Sequence, residues 1–194
     1  MCFVIIHMKK IVAGIVIALA IVTISGYSKP TGENDFQREF LDRINSVRAK
    51  GCKCGVTYMP PAAPLVWNDI LAKAAYKHAK DMYKNNYFSH NSLDGRTSEQ
   101  RALDAGYSYQ GYKSYQVGEN IAQGQQSIAE VNEGWFKSEG HCRNLMNPGF
   151  KEIGVAQYSD YWVQEFGGRI AFSPEQMKLI KSGKLKIIER QMQE

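Results

Sequence analysis

Gly134-Trp135-Phe136-Lys137-Ser138-Glu139-Gly140-His141-Cys142-Arg143-Asn144-Leu145-Met146-Asn147-Pro148 is the stretch that concentrates this chain's chemistry. It holds a histidine, a cysteine, an aromatic pair and several amide or acidic side chains. Two segments upstream answer it. Tyr87-Phe88-Ser89-His90-Asn91-Ser92-Leu93-Asp94-Gly95-Arg96 supplies a second histidine, and Gly118-Glu119-Asn120-Ile121-Ala122 supplies a carboxylate. The three segments together predict one polar cleft, with the fold arranged to assemble it.

The rest of the chain is consistent with one ordinary domain. A length of 194 residues favours a single core. Hydrophobic content of 44% and charge of 22% exclude a disordered chain. The formal net charge of +5 includes Lys9 and Lys10 of a leader segment, and without them it falls to +3. Such a mild excess, with no basic stripe carrying interleaved aromatics, argues against a nucleic-acid partner.

Lys9 and Lys10 precede an uncharged run from Ile11 to Ile24, which ends in Ser25-Gly26. A basic start followed by an apolar stretch of that length predicts a secretory signal peptide over residues 1–26, with Met8 as an alternative start. The run is short against the roughly 20 residues that span a bilayer, so membrane attachment is expected only if this segment stays uncleaved. Tyr27 stands where a bacterial lipobox would carry its lipidated cysteine, which argues against a lipoprotein. A secreted or cell-surface location follows, with residues 27–35 as a polar linker.

Apolar periodicity predicts a first helix through Phe36, Phe40, Leu41, Ile44 and Val47, with Asn34 as its cap and a stop at Lys50-Gly51. Cys52-Lys53-Cys54-Gly55 comes next, followed by the proline-rich Met59 to Pro64, which reads as extended chain and forbids helix. Asn68 is expected to cap a second helix that buries Leu71, Ala74, Ala75, His78, Ala79 and Met82 on one face. Tyr87 to Arg96 reads as a loop, Thr97 to Ala105 as a helix ending at Gly106, and Tyr107 to Tyr115 as an irregular loop. Gln116 to Ala122 is either strand or turn. Ser127 caps a fourth helix running to about Ser138. Strands Glu152 to Tyr158 and Tyr161 to Phe166 form a hairpin through Ser159-Asp160. From Pro174 a charged amphipathic tail carries Met177, Ile180, Leu185 and Ile188. Helices gathered before a terminal antiparallel pair predict an α+β architecture.

Spacing alone gives His90 and His141 no metal signature, because they lie 51 residues apart. Both are expected in polar, loop-like settings, which favours function over packing. His78, on an apolar helix face, reads as a packing residue. Glu119 sits among Val117, Ile121 and Ala122, and a carboxylate in an apolar run needs a partner such as a histidinium or a metal ion. No nucleophile-elbow motif surrounds Ser89, Ser92 or Ser138, so serine catalysis has no support in the pattern.

Of the four cysteines, Cys2 belongs to the leader, leaving Cys52, Cys54 and Cys142. In an oxidising compartment one disulfide is expected. Cys52 and Cys54 are too close to pair without strain, so Cys142 bonds one of them. Closing either loop contributes about 4 to 5 kcal/mol in the chain-entropy model, which leaves the choice open.

Taken together these residues resemble the CAP superfamily of cysteine-rich secretory proteins, venom allergens and plant pathogenesis-related proteins, in its bacterial secreted branch. The resemblance covers 36–172, with 173–194 as a tail. It rests on Pro64-Leu65-Val66-Trp67-Asn68, Tyr87-Phe88-Ser89-His90, Gly118-Glu119-Asn120-Ile121-Ala122, Trp135 with Gly140 to Pro148, and Ile153-Gly154-Val155 with Tyr161 to Gly167. It implies a three-layer α-β-α sandwich with a central, mainly antiparallel sheet and a large cleft. It also implies that His90 and His141 hold a divalent metal such as zinc, with Glu119 as the cleft acid. Animal members carry a second acid three residues after the motif tryptophan. Here that position is Ser138, so Ser138, Glu139 and Asn120 are the remaining cleft candidates. The resemblance further implies a Cys54–Cys142 disulfide. A non-enzymatic module binding an unidentified extracellular ligand (small molecule, lipid or cell-surface polymer) is the preferred reading; a metal-assisted hydrolase or protease is the alternative.

Overall fold

The computed structural model describes residues 33–186. The leader at 1–26, the linker before Glu33 and the end of the tail with Ile188 lie outside the described residues. Helix α1 (Glu33–Arg48) begins inside the stretch expected as linker and buries Phe40 and Ile44 completely. Strands β1 (Cys52–Cys54) and β2 (Thr57–Met59) follow as a small antiparallel hairpin, ahead of the proline-rich segment. Gly55 makes its turn with a φ of +60°, a conformation that glycine adopts without steric cost.

Strand β3 (Val66–Trp67) leads into α2 (Asp69–Asn85). Asn68 caps that helix, its Oδ1 accepting from the backbone N–H groups of Ile70 and Leu71. The six residues expected on the inner face of α2 are the six it buries. Helix α3 (Ser98–Ala105) starts with a reciprocal Thr97–Gln100 capping box. Strand β4 (Ser114–Gln123) resolves the strand-or-turn ambiguity and begins inside the expected loop. Helix α4 (Ile128–Lys137) is capped by Ser127. A short helix α5 (Glu139–Met146) then follows, in place of the loop-like setting expected of His141. Strands β5 (Glu152–Tyr158) and β6 (Tyr161–Ile170) form the expected hairpin, and β6 runs past Phe166. Helix α6 (Pro174–Lys181) opens the tail with its own capping box at Ser173. Among the described residues no helix is long and apolar enough to cross a membrane.

The other four strands form one sheet in the order β3-β5-β6-β4. Only β3 and β5 run parallel, so the sheet is mixed and mainly antiparallel, as expected. Alternation along each strand sends side chains to two helical layers. On one face Ala75, Ala79 and Met82 of α2 pack against Ile121, Ala156 and Val163. On the other, Phe40, Ile44, Val131, Trp135 and Leu145 meet Ile153, Val155, Trp162 and Phe166. Each such fully buried aliphatic or phenyl side chain contributes about 1.5 to 3 kcal/mol. Gly154 sets the helix–sheet distance on the α2 face. A Cβ there would stand 2.0 Å from the backbone nitrogen of Ala72, so any larger residue displaces α2. The fold is α+β in three layers.

Candidate functional site

Strand β4 is an edge of the sheet, and helices cover that edge through side chains. Asn144 donates to the Glu119 carbonyl at 3.1 Å, and the Trp135 indole donates to the Ile121 carbonyl at 3.3 Å. Residues two apart on a strand point their carbonyls the same way, so these two contacts satisfy successive groups of the open edge.

Glu119 and Asn120 project from opposite faces of β4. On the α2 face, Glu119 is only 7% exposed. Its Oε1 accepts from His90 Nδ1 at 2.7 Å and its Oε2 from Arg101 Nη2 at 2.5 Å. The partner demanded by a carboxylate in an apolar run is therefore a histidine plus an arginine. Arg101, from α3, is buried and also donates to the carbonyls of His90 and Arg96 and to Ser92 Oγ. It ties the His90 loop to the sheet. The sequence reading missed Arg101, although it stands beside Ala102 and one turn before Ala105 on the inward side of α3. A charged residue in that phase was the available signal.

On the opposite face Asn120 is fully buried. It donates to Gln164 Oε1 at 2.9 Å and to the His141 carbonyl at 3.2 Å, and accepts from Asn144 Nδ2 at 2.9 Å. This chain of amides seats α5 on β4. His141 lies in the first turns of α5, not in a loop, and its backbone is what Asn120 holds. Cys142, Leu145 and Met146 are the buried face of that helix. Arg48 fixes its far end: the guanidinium, without exposure, donates to the carbonyls of Ala63, Leu145, Asn147 and Phe150. Burial pushes its pKa down to about 10.

The two histidines differ in electrostatics. The hydrogen bond to Glu119 raises His90 above its ordinary value, outweighing partial burial. Burial lowers His141, and the charge on His90 lowers it further. His90 is 57% exposed at its side chain. With Nδ1 held by Glu119, Nε2 is the nitrogen left for a ligand. His78 is packed on α2 as expected, yet it also borders the cluster. Its Nε2 meets the Ser89 carbonyl at 2.9 Å and lies 3.8 Å from Glu119 Oε2, and burial pushes its pKa down.

A second buried acid lies under the first. Glu165 is the direct cross-strand neighbour of Glu119 and is wholly buried. Neither of its carboxyl oxygens has a hydrogen-bond partner among the described residues, and Arg101 Nη2 stands 3.8 Å from Oε1. Burial first, and the nearby Glu119 charge second, push its pKa well above the carboxylate range. No local sequence feature marked it, because the pairing of β4 with β6 creates the juxtaposition.

Ser138 is the break between α4 and α5, with extended backbone and no side-chain cap bond. Glu139 is exposed; it pairs with Arg143 at 2.7 Å and lies over Gly55 of the β1–β2 hairpin. Cys54 and Cys142 form the disulfide, both without exposure. The choice left open by loop entropy is thus made. Among the described residues Cys52 is the free cysteine.

The family model described as the cysteine-rich secretory protein family, CAP, matches residues 41–166. The chain is 32% identical over 145 residues to the uncharacterized protein YkwD of Bacillus subtilis (strain 168), covering 73% of this chain and 51% of that protein. It is also 32% identical over 130 residues to the uncharacterized membrane protein YlbC of the same strain, covering 67% of this chain and 34% of that protein. The solved structure of an extracellular protein containing a SCP domain from Bacillus anthracis str. Ames is similar at a TM-score of 0.58 and 31% identity, covering 72% of this chain and 41% of that one. The chain spans about half, or less, of the length of these relatives.

Proposed function

The chain belongs to the cysteine-rich secretory protein (CAP) family, and from that premise we propose that it is an extracellular binding module whose His90–His141 cleft takes a divalent cation, zinc foremost, together with an extracellular ligand. The observation that carries this reading is the Glu119–His90 hydrogen bond. A carboxylate on one imidazole nitrogen fixes the ring and leaves the other nitrogen for a metal, the usual support of a histidine ligand. His90 and His141 would hold the cation, with Glu119 acting behind His90. Two histidines suit zinc and leave positions open to a ligand. When bound, the cation would supply a Lewis-acidic point of attachment for an anionic or carbonyl oxygen. The chain's own residues orient the rings: Arg101 neutralises Glu119, and Asn120 holds the α5 backbone at His141. An extracellular location is supported by the leader-like sequence over 1–26 and by the extracellular SCP-domain relative.

Metal retention tests the proposal. After dialysis against zinc, the protein is expected to keep about one equivalent, a His90→Ala/His141→Ala double variant none. Equal retention by both would overturn the reading. Incubating zinc-loaded protein with peptide and ester libraries separates binding from hydrolysis. Metal-dependent cleavage that disappears in His90→Ala would replace the binding module with a hydrolase.

A further inference from the structure

The β1–β2 hairpin carries chemistry that the cleft does not use. Residues two apart on a strand point to the same side, so Cys52 and Cys54 of β1 present both sulfurs to one face. That face meets Cys142 of α5. Cys54 is bonded to it, and the Cys52 Sγ lies 3.7 Å from the Cys142 Sγ. All three sulfurs fall within 4.8 Å of one another. A free thiol at van der Waals distance from a disulfide is close enough for exchange once its side chain turns to bring the three sulfurs into line.

We propose that Cys52, Cys54 and Cys142 form an internal thiol–disulfide exchange site. The Cys52 thiolate attacks Cys142 Sγ, a Cys52–Cys142 bond forms and the Cys54–Cys142 bond breaks. Cys54 leaves as the thiolate and takes up the proton that Cys52 gave up. No oxidant or reductant is consumed. The link between the hairpin and α5 is kept, and its anchor moves by two residues along β1.

Exposure gives the exchange a consequence. Cys54 and Cys142 are sealed from solvent, whereas Cys52 is partly exposed. With the bond at Cys54, small thiols outside the protein have no approach to the disulfide. With the bond at Cys52, one of its sulfurs faces the surface. Cys52 is therefore the route by which external thiol compounds reach this disulfide, one residue from His141. Burial raises the Cys52 pKa, so the thiolate is a minor species near neutrality and the exchange is slow there. Around the hairpin, Arg143 of α5 pairs with Glu139 and donates to Thr57, Tyr58 of β2 donates to the Lys50 carbonyl, and Lys53 stands on β1 between the two cysteines.

Trypsin makes the test direct, because Lys53 separates the two cysteines. Cys52 leaves in the peptide 51–53, Cys54 in the peptide that begins at 54, and Cys142 in 138–143. The oxidised protein is held at about pH 8.5, where thiolate forms, then quenched in acid, unfolded, trapped with N-ethylmaleimide and digested. The adduct is expected on Cys52 at first and on Cys54 as well after incubation, with a Cys52–Cys142 peptide pair appearing alongside. An adduct confined to Cys52 throughout would overturn the proposal. A Cys54→Ser variant gives a second reading: a Cys52–Cys142 disulfide supports the proposal, and two alkylatable thiols in the folded variant contradict it.

Discussion

Arg101 Nη2 and Glu119 Oε2 stand 2.5 Å apart, and both side chains are at least 95% buried. The pair joins α3 to the sheet edge beneath the exposed His90. Removing one member leaves the other as an uncompensated buried charge, which costs about 3 to 5 kcal/mol. Arg101→Met is expected to lose stability on that scale in urea unfolding, since the loop carbonyls of His90 and Arg96 also lose their donor. The double variant Arg101→Met/Glu119→Gln should cost less than the sum of the two single variants. Strict additivity would mean that the pair is not coupled.

The two cleft histidines should titrate in opposite directions from the ordinary value. His90, raised by Glu119, gives a stabilising contribution that is fully present below the unfolded value near 6.5 and is lost as pH rises through its raised folded value. His141 is lowered by burial and by His90, so the folded state resists its protonation. Its contribution is present above about 6.5 and lost as pH falls through its depressed value. Proton–carbon NMR of the imidazole rings is expected to find His90 titrating above His141, and Glu119→Gln should move His90 down. The reverse order would remove the Glu119–His90 bond from the account.

Glu165 makes a third expectation. Its raised pKa keeps it protonated in the fold over a range where the unfolded chain has already ionised. Stability is therefore fully present below about pH 4.3, the unfolded value, and declines as pH rises toward the folded value. Glu165→Gln, which cannot ionise, should raise the melting temperature relative to the parent at about pH 8 and change it little at about pH 4. A difference that is the same at both pH values would show that Glu165 is not the titrating group.

Much of this was legible in the sequence because it is local. The inner face of α2, its Asn68 cap, the end of α3 at Gly106 and the β5–β6 hairpin each follow from spacing within one element. What escaped notice depends on the third dimension or on weak local signals. Helix α5 has Cys142, Leu145 and Met146 at helical spacing, but Gly140 near its start and Pro148 after it obscure its short length. The β1–β2 hairpin has strands of only three residues, below what alternation resolves. Of the site, the sequence marks His90 as a histidine in a polar, loop-like setting and Glu119 as a carboxylate in need of a partner. Arg101 and Glu165 required the packing of α3 and the β4–β6 register to be known.

Whether His90 and His141 share one cation is read out by zinc calorimetry. The protein, His90→Ala, His141→Ala and Glu119→Gln are each titrated at about pH 7.5 and about pH 5.5, either side of the ordinary imidazole value. Imidazole binds metal only when neutral, so the proton that Glu119 helps His90 to keep competes with zinc. One site is expected in the parent, weaker at the lower pH. Each histidine variant should lose binding, and Glu119→Gln should be weakened about 10- to 100-fold at the higher pH through loss of ring orientation. Zinc affinity in both histidine variants equal to that of the parent would contradict the shared site.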